Sequence, residues 1–206
     1  MKKILILSLS VLSTLLFSAC TDQANQPESQ AENIIGKHTI RFTEPPKRIP
    51  VPHSVDAPLL GNGFTGVALS GTPESQVFYV ARNDFWRLKS ALDESFPLVL
   101  CKIELDIPQL KDASYLVEQQ LYDAVSTARF TKGDISVSHK AFVPATEDML
   151  IVDLNMEGNG SVEGSAGISF LGKEEQIDNP PRERIFPDVR EHETRPNGIE
   201  YLSRAF

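Results

Sequence analysis

The sequence predicts an all-β protein, an antiparallel β-sandwich of the super-sandwich type. Three observations favour this class. Apolar and polar residues alternate with a period of two over several segments, which is typical of strands with one buried face. The 206 residues include 14 prolines and 12 glycines, which suit many turns rather than long helices. The hydrophobic fraction of 41% is sufficient for a packed core.

The chain begins with a segment that is typical of a secretory signal peptide. Two lysines precede an apolar run at residues 4–17, which is too short for a membrane-spanning helix. The run leads into Leu-Phe-Ser-Ala-Cys, which resembles the lipobox of bacterial lipoproteins and departs from it at Phe17. We therefore predict that residues 1–19 are removed and that acyl chains on Cys20 anchor the protein in the bacterial cell envelope. The alternative is an ordinary signal peptide that leaves Cys20 unmodified.

Two regions are predicted after the signal peptide. Residues 20–36 are rich in Gln, Asn, Glu and Ser and are expected to form a disordered tether, and residues 37–206 are expected to form the sandwich. Loss of residues 1–19 changes the formal net charge from −8 to −10, because two lysines leave with them. An acidic surface repels nucleic acid and anionic lipid head groups. Nucleic acid is thus not an expected partner, and the membrane link is assigned to the acyl chains.

The elements of the sandwich follow from the alternation and its interruptions. Strands are predicted at residues 38–42, 76–80, 99–107, 150–156 and 162–170. Hairpin turns are predicted at residues 132–133, 144–148 and 158–160, where glycine, proline and asparagine concentrate. Short helices are expected only at residues 85–92 and 108–113.

The last part of the chain is less regular. Prolines between residues 172 and 198 predict a long loop that crosses the sandwich, and residues 199–206 begin a further strand. The sequence stops there without a polar cap. We therefore expect a sandwich that is incomplete at its C-terminus, in a chain truncated within a longer protein.

The segment Gly61 to Gly66 spells G-x-G-x-x-G, the pattern of a dinucleotide-binding turn. That turn must leave a buried parallel strand and open a helix. Here Pro58 precedes the glycines, and Gly71 and Pro73 would break any helix that followed. We predict a turn between strands, in which Asn62 takes a left-handed conformation. No nucleotide and no other cofactor is expected.

The same region resembles a known protein class. Its sequence P-L-L-G-N-G-F-T-G-V, followed by F-Y-V-A-R-N-D-F-W, resembles the N-terminal β-sandwich of bacterial glycosidases and disaccharide phosphorylases with a six-hairpin (α/α)6 barrel. Among these enzymes, the segments resemble families 65 and 95 of the glycoside hydrolases. In them a G-N-G loop opens the first strand pair and an N-D/E…W segment follows the next. The resemblance continues into residues 120–130 and 138–145, and covers residues 50–156.

The resemblance implies an accessory domain of a secreted lipoprotein that degrades oligo- or polysaccharides. The catalytic residues of such an enzyme lie in the barrel, which is missing from this sequence, so the chain alone is expected to be inactive. It is also expected to bind oligosaccharides weakly or not at all. One alternative is a non-catalytic glycan-binding lipoprotein of the cell surface, and a structural envelope protein is another.

Asn83, Asp84 and Trp86 are the predicted carbohydrate contacts. The only tryptophan of the chain offers a flat face to a pyranose ring, and the other two side chains can bond hydroxyls. The opposing interpretation of Trp86 is a core anchor whose indole N–H bonds a neighbour. The opposing interpretation of Asn83 and Asp84 is that they cap a helix.

Other residue types that often carry chemistry predict no site. The four histidines lack the spacing of metal ligands, and Cys101 is expected on an apolar strand face, so no metal site is expected. His139 is expected to be a packed strand residue rather than a base. Acidic residues between 174 and 183 are expected to be solvated, so no catalytic pair is assigned.

Overall fold

The computed structural model describes residues 30–48, 50, 55–87, 96–158, 162–171, 190–196 and 198–204. Two five-stranded antiparallel sheets pack against each other, which confirms the predicted all-β sandwich. The elements are α1 (Gln30–Ile35), β1 (Thr39–Phe42), β2 (Leu59–Gly61), β3 (Thr65–Gly71), β4 (Ser75–Arg87), β5 (Phe96–Asp106), a 3-10 turn (Pro108–Leu110), β6 (Ser114–Gln120), β7 (Val125–Lys132), β8 (Ile135–Phe142), β9 (Ile151–Glu157), β10 (Ser165–Ser169), β11 (Arg190–Thr194) and β12 (Glu200–Arg204).

The strand order separates the two sheets clearly. Sheet I has the order β1-β6-β7-β8-β9, and sheet II has the order β10-β5-β4-β3-β2. Within the described residues, β11 and β12 form a separate two-stranded ribbon. Consecutive strands from β2 to β5 and from β6 to β9 pair as antiparallel neighbours, so each sheet is built largely from local hairpins.

Two of the three predicted hairpin turns are confirmed. The turn at residues 132–133 lies between β7 and β8, and residues 144–148 lie between β8 and β9. The prediction of a hairpin at residues 158–160 is wrong, because β9 belongs to sheet I whereas β10 pairs with β5 in sheet II. Alternating hydrophobicity indicates that a strand has one buried face, but it does not indicate which sheet the strand joins.

Of the two predicted helices, the first is wrong at its start and the second is confirmed as a short turn. Phe85 continues strand β4, so the predicted helix at residues 85–92 is wrong at its start, and residues 88–95 lie outside the described part. A 3-10 turn at Pro108–Leu110 confirms a helical turn there. The predicted tether ends in the short helix α1, while residues 20–29 lie outside the described residues. Good helix formers such as Gln, Ala and Glu explain this helical turn in a polar segment.

The core lies between the two sheets and has two parts. One part joins Leu60, Val67, Leu69 and Phe78 of sheet II to Ala141 and Val143 at the end of β8. The other part surrounds the 3-10 turn, with Ile107, Leu110, Val117, Ala128, Phe130 and Val137. Their inward positions agree with the predicted alternation. On edge strand β9, however, the predicted apolar face is only partly covered: Leu154 is 39% exposed and Met156 is 50% exposed.

Two predicted core residues are confirmed. Cys101 is buried in β5, and this burial raises the pKa of its thiol to about 11, so the thiol stays protonated at neutral pH. His139 of β8 is buried and contacts the rings of Phe78 and Phe130, with centroid distances of 5.6 Å and 6.0 Å. Its packing on the inner face explains why it is not a candidate base.

The end of the chain differs in part from the prediction. Residues 190–194 form strand β11, so the predicted loop across residues 172–198 is wrong there, and residues 172–189 lie outside the described part. The strand predicted at residues 199–206 is confirmed over Glu200–Arg204, which form β12, and residues 205–206 lie outside the described part. The charged sequence of β11 has weak strand propensity, and pairing with β12 overrides it.

In the described part of the chain, no helix has the length and apolar character needed to cross a bilayer.

Candidate functional site

Three segments that are far apart in sequence are bonded together at one end of the sandwich. They are the turn between β2 and β3, the last part of β4, and the loop between β8 and β9. We call the group that joins them the end site; its members are Asn62, Phe64, Arg82, Asn83, Asp84, Trp86 and Asp148. All three predicted carbohydrate contacts belong to it.

The turn between β2 and β3 is an antiparallel hairpin. Gly61 of β2 lies opposite Gly66 of β3, which confirms that the G-x-G-x-x-G sequence is a turn between strands. The Asn62 side-chain oxygen accepts hydrogen bonds from the backbone N–H groups of Phe64 (3.0 Å) and Thr65 (2.8 Å). The predicted left-handed conformation of Asn62 is wrong: Gly63 takes the positive φ of 90° instead. Glycine carries no Cβ and adopts this conformation without strain, so Asn62 is free to bond the turn.

Asn62 also ties a second segment to this turn. Its side-chain Nδ2 donates hydrogen bonds to the carbonyl oxygens of Pro144 (3.1 Å) and Glu147 (3.2 Å) in the β8–β9 loop. One amide therefore bonds four backbone groups from two segments. Sequence reasoning missed this role, because the partners are more than 80 residues away. Asn62 fixes the frame of the end site and has little bonding capacity left for a ligand.

Asn83 joins the end of β4 to the same turn. Its backbone N–H donates to the carbonyl oxygen of Phe64 at 2.9 Å, and its side-chain Nδ2 donates to that of Gly63 at 2.9 Å. Its own carbonyl oxygen accepts the indole N–H of Trp86 at 2.6 Å. The two sequence segments on which the resemblance depends thus form one hydrogen-bonded unit.

Arg82 is the centre of the charged part of the end site, and sequence reasoning did not single it out. Its Nε and Nη2 donate to the two carboxylate oxygens of Asp84, at 3.1 Å and 3.3 Å. Its Nη1 donates to Asp148 at 3.2 Å, and its Cζ lies 4.4 Å from the centroid of the Phe64 ring. The guanidinium thus bridges the two sheets of the sandwich through a carboxylate on each.

The Arg82 contacts set the charge state of Asp84. The hydrogen bonds from Arg82 lower the pKa of Asp84, and the same bonds raise the pKa of Arg82. Both groups are therefore charged at neutral pH. An ionised carboxylate accepts hydrogen bonds from sugar hydroxyls, but it does not donate the proton that glycoside cleavage requires.

Trp86 is exposed, so the interpretation as a core anchor is wrong. Its side chain is 48% exposed, although its indole N–H is bonded as that interpretation required. It pairs with Pro97 of β5 after a break in the β4–β5 register that begins at Ala81. Such a break in register interrupts the regular pairing of the two strands and bends the strand that carries it. Asn83 and Asp84 lie in the same strand, so they do not cap a helix.

The described residues contain no arrangement that suggests catalysis. No group of three metal-binding side chains occurs among them. Asp84 and Asp148 of the end site both bond Arg82, and the lowered pKa of Asp84 makes this carboxylate unsuited to be the protonated acid of a glycosidase pair. Cys20 and the acidic residues between 174 and 183 lie outside the described part of the chain. What the end site does offer is an exposed aromatic ring beside an amide and an ionised carboxylate.

No model of a known protein family matches the chain, and no curated protein matches it significantly.

Proposed function

We propose that this chain is the non-catalytic N-terminal sandwich of a secreted, lipid-anchored glycoside hydrolase or phosphorylase. In this proposal acyl chains on Cys20 anchor the protein in the bacterial cell envelope, and an (α/α)6 barrel in cis supplies the chemistry. The sandwich contributes a saccharide contact at the end site. The proposal rests on the resemblance of residues 50–156 to such domains.

One observation carries the proposal. Asn83 bonds Gly63 and Phe64, which are 20 and 19 positions earlier in the chain, and so unites the two most specific segments of the resemblance. The unit leaves Trp86 exposed at the surface. A hydrogen-bonded frame below an exposed aromatic ring is the arrangement expected of a saccharide contact, because the ring covers the apolar face of a sugar.

The expected contact is weak. Trp86 supplies one stacking surface, and Asp84 supplies an acceptor already engaged by Arg82. A single aromatic contact with one or two hydrogen bonds corresponds to a Kd of about 1 mM, or roughly −4 kcal/mol. Such a site can position a saccharide for a neighbouring domain without holding it.

A second candidate function is a glycan-binding lipoprotein without catalysis. The exposure of Trp86 favours it, because saccharide contact alone would explain this feature. A continuing reading frame that encodes a helical barrel with paired carboxylates would support the enzyme. A genuine stop after residue 206 would support the binding protein.

Affinity electrophoresis tests the saccharide contact. The purified chain is run through gels that contain neutral soluble polysaccharides, and retarded migration measures binding. Trp86→Ala should remove the retardation. Tyr122→Ala is the control, because Tyr122 is similarly exposed, at 42%, but lies in the β6–β7 turn. Equal retardation of the wild type and Trp86→Ala would reject the end site, and turnover of an aryl glycoside by this chain would reject the non-catalytic role.

A further inference from the structure

The outer face of sheet I carries an open depression of about 330 Å³. It spans two rungs of side chains across four adjacent strands, β6 to β9. One rung holds Leu116, Arg129, Ser138 and Asn155, and the next holds Glu118, Thr127, Lys140 and Asp153. Alternation places these side chains on the face opposite the core, since Ala128, Phe130 and Val137 point inward. The depression is separate from the end site.

Two cations lie at the centre of this depression. Arg129 of β7 pairs with Ser138, and Lys140 of β8 pairs with Thr127, so the two cations are diagonal neighbours. Diagonal neighbours on a sheet face have Cβ atoms roughly 7 Å apart, within reach of one anionic group. The hydroxyls of Thr127 and Ser138 lie in the same two rungs and provide neutral donors.

Neither cation has an acidic partner among the described residues. Glu118 is bonded to Arg41 at 2.6 Å on the far side of β6, which engages its charge. Asp153 lies directly opposite Lys140 in the register, but no ion pair within 4.0 Å joins them. Two unpaired like charges on neighbouring strands repel each other, and a bound anion would remove that repulsion.

Hydrogen-bond acceptors flank the cations on the β9 side. Asp153 and Asn155 are exposed and present side-chain oxygens at the edge of the depression. A simple anion would be repelled by Asp153, whereas a ligand with hydroxyl groups beside its anionic group could donate to it. An acidic saccharide has both features.

We propose that this depression binds an acidic saccharide, with its anionic group between Arg129 and Lys140 and its hydroxyls on Asp153 and Asn155. The anionic group is a carboxylate or a sulfate ester, since both accept hydrogen bonds from guanidinium and ammonium groups. The volume is at the lower end of the range for ligand pockets. This proposal is independent of the end site.

Isothermal titration calorimetry with four probes tests the proposal. The probes are a trimer of galacturonate, a sulfated neutral trisaccharide, the same trisaccharide without sulfate, and inorganic sulfate. One or both acidic trisaccharides should bind, and the tighter one identifies the anionic group. The affinity should fall as salt is raised, because the site is open to solvent. Equal binding of the neutral trisaccharide would overturn the role of the anionic group, and equal binding of inorganic sulfate would overturn the role of the sugar.

Variants locate the contact. The double variant Arg129→Gln/Lys140→Gln should weaken binding of the acidic trisaccharide by at least tenfold. Lys132→Gln is a control for the loss of surface charge, because it removes one exposed positive charge from β7 outside the depression. Unchanged binding by the double variant would overturn the proposal, as would a loss of the same size in the control.

Asp153→Asn separates a sugar contact from charge alone. Removal of this negative charge should strengthen binding of any anion if only charge matters. If Asp153 accepts a sugar hydroxyl, its replacement should weaken binding of the acidic trisaccharide, and stronger binding would overturn that contact. Trp86→Ala should leave this binding unchanged, which distinguishes failure of the depression from failure of the end site.

Discussion

His139 is expected to make the stability of the sandwich depend on pH. It is 5% exposed, and burial lowers the pKa of its imidazole from 6.5 to about 4. The unfolded chain takes up the imidazole proton near pH 6.5, whereas the folded chain takes it up only near pH 4. Unfolding therefore binds a proton throughout that interval, and the free energy of unfolding falls as the pH falls.

The size of this effect follows from the two pKa values of His139. Each pH unit between them changes the free energy of unfolding by about 1.4 kcal/mol. The total loss between pH 6.5 and 4 is therefore roughly 3 kcal/mol, a large fraction of the 5–15 kcal/mol that is typical of a whole domain. Well above pH 6.5 the imidazole is neutral in both states, and its contribution is constant.

The variant His139→Leu isolates this contribution. Leucine fills an apolar site between Phe78 and Phe130 and removes both the titration and a buried Nδ1 that has no hydrogen-bond partner in the described structure. Urea unfolding of both proteins is followed by circular dichroism at pH values from 7 to 4. The wild type should lose roughly 3 kcal/mol more than the variant over this range. Parallel pH profiles would show that His139 is not buried as a neutral group.

Further predictions concern a turn, the frame of the end site and the anchor. Gly71→Ala should destabilise the chain by roughly 3 kcal/mol, because a Cβ at φ +87° would overlap the Ser75 carbonyl oxygen. The control Gly133→Ala, at φ +56° in open space, should cost only about 1 kcal/mol in the same urea unfolding. Asn62→Ala should lower the free energy of unfolding by roughly 2 kcal/mol, since four backbone groups lose a partner; no change would refute its framing role. Cys20→Ala should abolish labelling with radioactive palmitate in cells, and persistent labelling would refute the acyl anchor.

Alternation along each strand was sufficient to predict the sandwich. Residues such as Val67, Phe78 and Val137 lie on inward faces, as a period of two requires. Alternation did not predict that the chain crosses between sheets after Glu157, because a strand in either sheet has the same one-sided pattern. Alternation also did not predict that Met156 is half exposed. Met156 lies on an edge strand, and the sequence pattern of an edge strand is similar to that of a central strand.

The candidate site was predictable only where its members are close in sequence. Asn83, Asp84 and Trp86 form one segment, and their composition was enough to single them out. Arg82 could not be assigned a role in advance, because its second carboxylate partner, Asp148, lies 66 residues later in a loop of the other sheet. Only the packing of the two sheets brings these charges together.

Fluorescence of Trp86 tests the proposed saccharide contact most directly. It is the only tryptophan of the chain, so every change in indole emission comes from the end site. The side chain is 48% exposed, so its emission should be characteristic of a wet indole and should be quenched by iodide. Titration with the polysaccharide that retards the protein should shift the emission to shorter wavelength and reduce quenching. The change should be half complete at a concentration of binding sites of about 1 mM, the expected Kd. Retardation by that polysaccharide without any change in Trp86 emission or quenching would contradict the proposed contact.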